Sequence, residues 1–175
     1  MGSSCTRAGF AGDDMPIAVF PTVIGKPKIP TSSSKEIYVA NEALDHRAFT
    51  ITHPVRKGVI ENWDDINEIV FHATTNQLKI STETYPIIFA ESPTNTKQRR
   101  LKLASMLFEE FKIIGLFFGV NSLLSLYSTG KTSGLVLDSG DGITNAVPMY
   151  EGYYIPDSVK SSELCGQEVT RNLIR

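Results

Sequence analysis

"GLVLDSGDGITNAVPMYEGYYIP", residues 134–156, decides how this chain is read. An apolar run from Gly134 to Leu137 enters Asp138-Ser139-Gly140-Asp141-Gly142, and the chain leaves again as a second apolar strand. That pattern is a β-hairpin. Its glycines let consecutive backbone N–H groups converge on an anion, because no side chain blocks the approach. Asp138 at the strand end and Asp141 in the turn could hold a hydrated Mg²⁺ beside that anion, since Mg²⁺ favours carboxylates, retained waters and phosphate oxygens. A plain hairpin whose aspartates close Asx-turns fits the same residues. On this segment alone the two readings stand even.

Upstream of the hairpin, Asn121 to Ser128 reads as a helix closed by Gly130. Gly115 to Val120 and Tyr85 to Ala90 are continuous apolar runs, which suit buried strands. Between them Asn95 starts a helix with Leu101, Ala104, Leu107, Phe108 and Phe111 on one face. Asn62-Trp63-Asp64-Asp65 opens another: Asn62 caps the free N–H groups, the aspartates lie at the positive end of the dipole, and Ile66, Ile69, Val70 and Ala73 recur behind them. Further back, Ala8 to Asp14 is a strand ending in a turn, Ala18 to Ile24 resumes strand chemistry, and Lys26 to Lys35 is a loop by composition. Ile37 to Val39 is a short strand and Asn41 to Arg47 makes one or two helical turns. Glu168 to Arg175 begins a last helix. The order is α/β.

Composition bounds the function. With 175 residues, 41% hydrophobic and 21% charged, the chain is of ordinary globular make-up. A net charge of −2 argues against a nucleic-acid partner. The one basic cluster, Lys97 to Lys102, reads as a solvated helix face. The longest apolar run, Ile113 to Val120, is far short of a transmembrane segment. Cys5 and Cys165 stand far apart and read as reduced thiols of the cytosol. Met1-Gly2-Ser3-Ser4-Cys5-Thr6 fits the pattern for N-terminal lipidation at Gly2 and Cys5, but so short a pattern arises often by chance, and an unlipidated start is favoured.

Several sites are excluded. Gly130-Lys131-Thr132 imitates the end of a P-loop, yet Ser125 stands where its first glycine belongs, and the strand and helix come in the wrong order. His46, His53 and His72 lack metal-ligand spacing, and no serine sits in a nucleophile elbow.

Five motifs follow one another in a telling order: Ala8-Gly9-Phe10-Ala11-Gly12-Asp13-Asp14, Asn62-Trp63-Asp64-Asp65, Leu124-Ser125-Leu126-Tyr127, Val136 to Gly142, and Val147-Pro148-Met149-Tyr150-Glu151-Gly152-Tyr153. In order and spacing the chain resembles the actin family over nearly its whole length, as a divergent actin-related protein. The resemblance implies the actin-like ATPase (ribonuclease H-like) fold, two related α/β halves with a nucleotide and a divalent cation between them. Residues 1–133 correspond to the first half, with a small subdomain at about 22–53 and a mobile subunit-contact loop at 26–35. Residues 134–175 begin the second half with the phosphate hairpin 134–156. The resemblance makes Asp138, Ser139, Gly140, Asp141 and Gly142 the cofactor-binding turn, with Asp138 near the Mg²⁺ through water. It makes the surface around Tyr127 and Gly130 the place where actin-binding proteins dock.

The departures carry as much. The family's first phosphate hairpin begins with a strand that has no counterpart here, and only Gly2-Ser3-Ser4 stands where its turn would be. Two neighbouring strands are then expected to show open edges. Asn121 replaces a water-positioning glutamine, Asn145 replaces a histidine of the same water network, and Lys57 replaces a frequently methylated histidine. These two asparagines are the weak catalytic candidates. A loop that meets phosphate from one side loses preorganisation. The expectation is a cytoplasmic, cytoskeletal interaction protein that docks onto actin or another cytoskeletal partner, with a degenerate site where ATP and Mg²⁺ bind weakly or not at all. One alternative is an ATP-binding actin-type ATPase or filament subunit that obtains the missing half-site elsewhere. The other is a truncated product with little stability of its own.

Overall fold

The computed structural model describes residues 1–28, 37–45 and 48–174. They form two compact units, one of residues 1–56 and 60–81, the other of residues 57–59 and 82–175. The expected boundary at 133/134 falls inside the second unit. Most of the loop expected at 26–35, and His46 with the end of the helical turn at Arg47, lie outside the described residues.

In the first unit β1 (Cys5–Ala8) and β2 (Ala18–Pro21) pair antiparallel, and the motif Gly9 to Asp14 makes the turn between them. β3 (Ile24–Pro27) is central to a small sheet between β4 (Tyr38–Val39) and β5 (Phe49–Thr52), with α1 (Asn41–Leu44) beside it. Gly25 permits that approach: a Cβ there would stand 2.9 Å from the Cβ of Ala43. The short hairpin β6 (Val55–Arg56) and β7 (Val59–Ile60) leads to α2 (Trp63–Phe71).

Asn62 caps α2 as expected, its side chain accepting the Asp65 N–H at 3.2 Å. Asn62→Ala should lower stability by about 1 kcal/mol, read as a shift in the urea midpoint; an unchanged midpoint would remove the cap from the account. Ile66 and Ile69 are fully buried, and Ile69 and Ala73 pack with Ala18, Phe20, Ile24 and Val39 as one core. Beyond Phe71 the helix widens into a π-helical stretch, His72–Leu78, which ends at Lys79 in the left-handed conformation.

Lys26 and Thr52 both bond to the buried Asp65 carboxylate, at 2.8 and 2.9 Å. This clamp ties α2 to the small sheet.

In the second unit β8 (Ile87–Glu91) runs parallel to β9 (Leu116–Val120) through α3 (Lys97–Glu109). Among the described residues β1 pairs with β2 alone and β8 with β9 alone, so each keeps one open edge. Two expectations need correcting. The parallel pair is not buried on both faces, since Ile88 and Phe117, which are register partners, are both exposed. The cap of α3 is Thr96 rather than Asn95, accepting the Arg99 N–H; of the expected face Leu107 and Phe111 are buried, but Leu101 and Phe108 are exposed and Leu103 and Met106 are buried instead. The face is set by Arg100, which bonds to the buried Glu91 of β8 and lies 5.7 Å from the centre of the Phe118 ring. That bond to Glu91, and then its charge, hold the guanidinium pKa above its ordinary value.

α4 (Asn121–Tyr127) follows directly on β9. β10 (Gly134–Ser139) and β11 (Thr144–Tyr150) make the hairpin, extended by β12 (Tyr153–Tyr154) and β13 (Lys160–Ser162) on the β11 side. Leu126 of α4 packs with Val147 and Met149, against Leu123 and Val136. α5 (Gly166–Ile174) closes the described chain.

Candidate functional site

The hairpin turn is where the five cofactor candidates come together. Asp138 pairs in register with Asn145, and Ser139 with Thr144. Strand alternation puts Asp138 and Asn145 on the same face as Val136 and Val147, the face that α4 covers. Asp138 is half-buried and Asp141 exposed. Among the described residues neither carboxylate has a hydrogen-bond or ion-pair partner. The turn is closed by the Gly140 N–H donating to the Ile143 carbonyl at 3.0 Å.

The rest of the turn is held from outside. Gly166 and Gln167, at the head of α5, donate their N–H groups to the carbonyls of Gly140 and Asp141, each at 3.0 Å. Those carbonyls satisfy donors that a helix start leaves open. Gly166 lies against the turn, where a Cβ would stand in ordinary contact with the Asp141 Cα at 3.4 Å. Ser139 and Thr144 share a hydroxyl hydrogen bond of 2.9 Å, and Thr144 donates onward to the Leu164 carbonyl at 2.7 Å. On the other side the β6–β7 turn approaches: Gly58, at φ +72°, would carry a Cβ 3.2 Å from the Ile143 side chain. Beside it Lys57, at φ +50°, reaches Glu163 at 2.5 Å.

The carbonyls of Gly140 and Asp141 are thus occupied, whereas the N–H groups of Asp141 and Gly142 donate to no acceptor among the described residues. A fixed turn with open amides and an unpartnered carboxylate is chemistry suited to phosphate oxygens and a hydrated cation.

The two asparagines fare differently. Asn121 begins α4, and its Oδ1 is buried without a partner, as is the neighbouring Ser122 Oγ. Asn145 is fully buried, and its Oδ1 accepts the Ser161 hydroxyl at 2.7 Å. Gly2, Ser3 and Ser4 lie in the first unit, with the Gly2 N–H donating to the Cys5 carbonyl at 3.0 Å. Cys5 is half-buried and Cys165 buried, both as free thiols.

Sequence reading missed the support: Thr144, Ser161, Gly166 and Gln167. Gly166 at the head of a helix was the local sign of the α5 contact. The Ser161 bond crosses from β13 to β11 and leaves no such sign.

No helix among the described residues is long and apolar enough to cross a membrane. The family model for actin matches residues 1–175. With the glycine–aspartate hairpin, the α/β architecture and a match over the full sequence in agreement, this chain belongs to the actin family.

Proposed function

We propose that this actin-family chain works as a cytoskeletal interaction protein with a degenerate nucleotide site, and not as an ATPase. The observation that carries this reading is Asn145. Where the family resemblance calls for a histidine of the water network, a carboxamide stands buried and bonded to Ser161. An amide neither takes nor gives a proton near neutral pH, so this residue orders β13 against β11 instead of serving a reacting water.

The phosphate wall fits its ligand better than the catalytic residues do. Asp138 and the open amides of Asp141 and Gly142 would hold a phosphate group and a hydrated Mg²⁺. When bound, Mg²⁺ would supply charge neutralisation there. What this chain contributes is a fixed turn and one carboxylate. A nucleotide-holding switch without turnover is therefore the second reading.

The docking surface is supported by Tyr127, whose hydroxyl donates to the Gly152 carbonyl at 2.9 Å, and by the exposed rings of Tyr127, Tyr150 and Tyr153. The family's cytoskeletal setting supports actin or another cytoskeletal protein as partner and a cytoplasmic location.

The test follows thermal unfolding and phosphate release with and without millimolar Mg·ATP, alongside Asp138→Ala. The expected result is no phosphate release above the buffer blank, and co-sedimentation with filamentous actin that Tyr127→Ala weakens and Asp138→Ala leaves intact. Phosphate release that disappears in Asp138→Ala would overturn the proposal. A melting temperature raised by nucleotide, and not raised in that variant, without release selects the switch.

A further inference from the structure

Ala40 stands in a backbone conformation that alanine rarely takes, with φ +59° and ψ −127°. These torsions lie outside the left-handed helical region, where Lys79 sits at φ +54° and ψ +42°. They match the first central position of a type II′ turn, which favours glycine because an L side chain crowds the backbone there. Such strain persists only where the surroundings hold it. Here the Ala40 N–H donates to the Val23 carbonyl at 3.0 Å, and the Ala40 carbonyl accepts the Ala43 N–H at 3.1 Å. The methyl is buried in the core that includes Ile24, Val39 and Ile69. Burying one methyl stabilises less than such a conformation costs.

The strain falls at the junction of two elements lightly tied to β3. Among the described residues β4 meets β3 at two register positions, Ile24–Val39 and Gly25–Tyr38. α1 is one turn long, and no side chain caps its start. On the other side of β3, β5 pairs at four positions, and Lys26 and Thr52 bond to the buried Asp65 of α2. We propose that Ala40 is a strained latch: β4 and α1 open together from β3, releasing the strain, while β3, β5 and α2 stay in place. Opening gives up the burial of Val39, Ala40 and Ala43 and the stacking of Tyr38 on Phe49, mostly small side chains. The closed form covers the β4 side of β3, and the open form presents it as a free strand edge. All of these contacts lie within the first unit, and the device needs no nucleotide.

Native-state hydrogen exchange of the full chain tests this. It is read at the amides of Ala43 and Asp45, bonded to Ala40 and Asn41, and at those of Ile69 and Val70 in α2. In the unaltered chain Ala43 and Asp45 should exchange about a hundredfold faster than Ile69 and Val70. Ala40→Gly should slow Ala43 and Asp45 about tenfold, because the closed form is then unstrained. Asn62→Ala, which weakens the cap of α2, should speed Ile69 and Val70 about fivefold and leave Ala43 and Asp45 unchanged. Exchange at Ala43 and Asp45 that Ala40→Gly does not slow would overturn the proposal, since no strain then opposes the closed form. So would a speeding of Ala43 and Asp45 together with α2 in Asn62→Ala, since the segment would then open only with the whole unit.

Discussion

Lys26→Met is expected to destabilise the first unit by about 3 to 5 kcal/mol, and to cost more than Asp65→Asn. The asymmetry follows from exposure. The Asp65 side chain is 1% exposed and that of Lys26 is 43% exposed. Without lysine the carboxylate stays buried with the Thr52 hydroxyl alone to answer its charge. Without the charge, lysine swings into water, and the Thr52 hydroxyl keeps the asparagine oxygen or the Ile24 carbonyl, 3.4 Å away, as its acceptor. Lys26→Met/Asp65→Asn should recover part of the loss, because no buried charge remains. Trp63, the chain's single tryptophan, heads α2 two positions before Asp65, so its fluorescence in a urea titration reports this unit. Equal costs for the two single variants would mean that Asp65 is not held as a buried anion.

Arg100→Met should cost about as much in the second unit, by the same logic with a different cation. The Glu91 side chain is 3% exposed, and it is left with Asn95, which donates to it at 2.8 Å. The variant also gives up the contact of the guanidinium with the Phe118 ring. Arg100→Lys should restore only part, since an ammonium supplies the charge without the planar fork. The measurement is the urea midpoint by circular dichroism, with hydrogen exchange to locate the loss in α3 and β8. Full rescue by lysine would reduce Arg100 to a charge near Glu91 and remove its role in setting the helix face.

Those two clamps mark what the sequence could and could not reveal. The cap at Asn62, the core spacing behind it and the hairpin at 134–150 are local patterns, and each forms as read. The face of α3 is legible only in part: Leu107 and Phe111 are buried as expected, but Leu103 and Met106 are buried in place of Leu101 and Phe108, because both sets have helical spacing. What decides between them is a carboxylate on another strand, nine positions away in sequence and not periodic with anything. Lys26 and Asp65 are 39 positions apart and equally invisible. The strands β5 to β7 are short and partly polar, so only their pairing defines them. For the candidate site, the glycines and aspartates of the turn were legible as types. The state of Asn145 was not, because burial and the Ser161 bond depend on β13 folding back onto β11.

The anchoring of α5 on the turn has a use of its own. Two backbone hydrogen bonds run from the first turn of the helix to the carbonyls of Gly140 and Asp141, next to the open amides of Asp141 and Gly142. Whatever tightens the turn must also hold Gly166 and Gln167 more firmly, and whatever loosens it releases them. The helix start is thus a built-in gauge of the turn, legible amide by amide in hydrogen exchange without any label on the ligand.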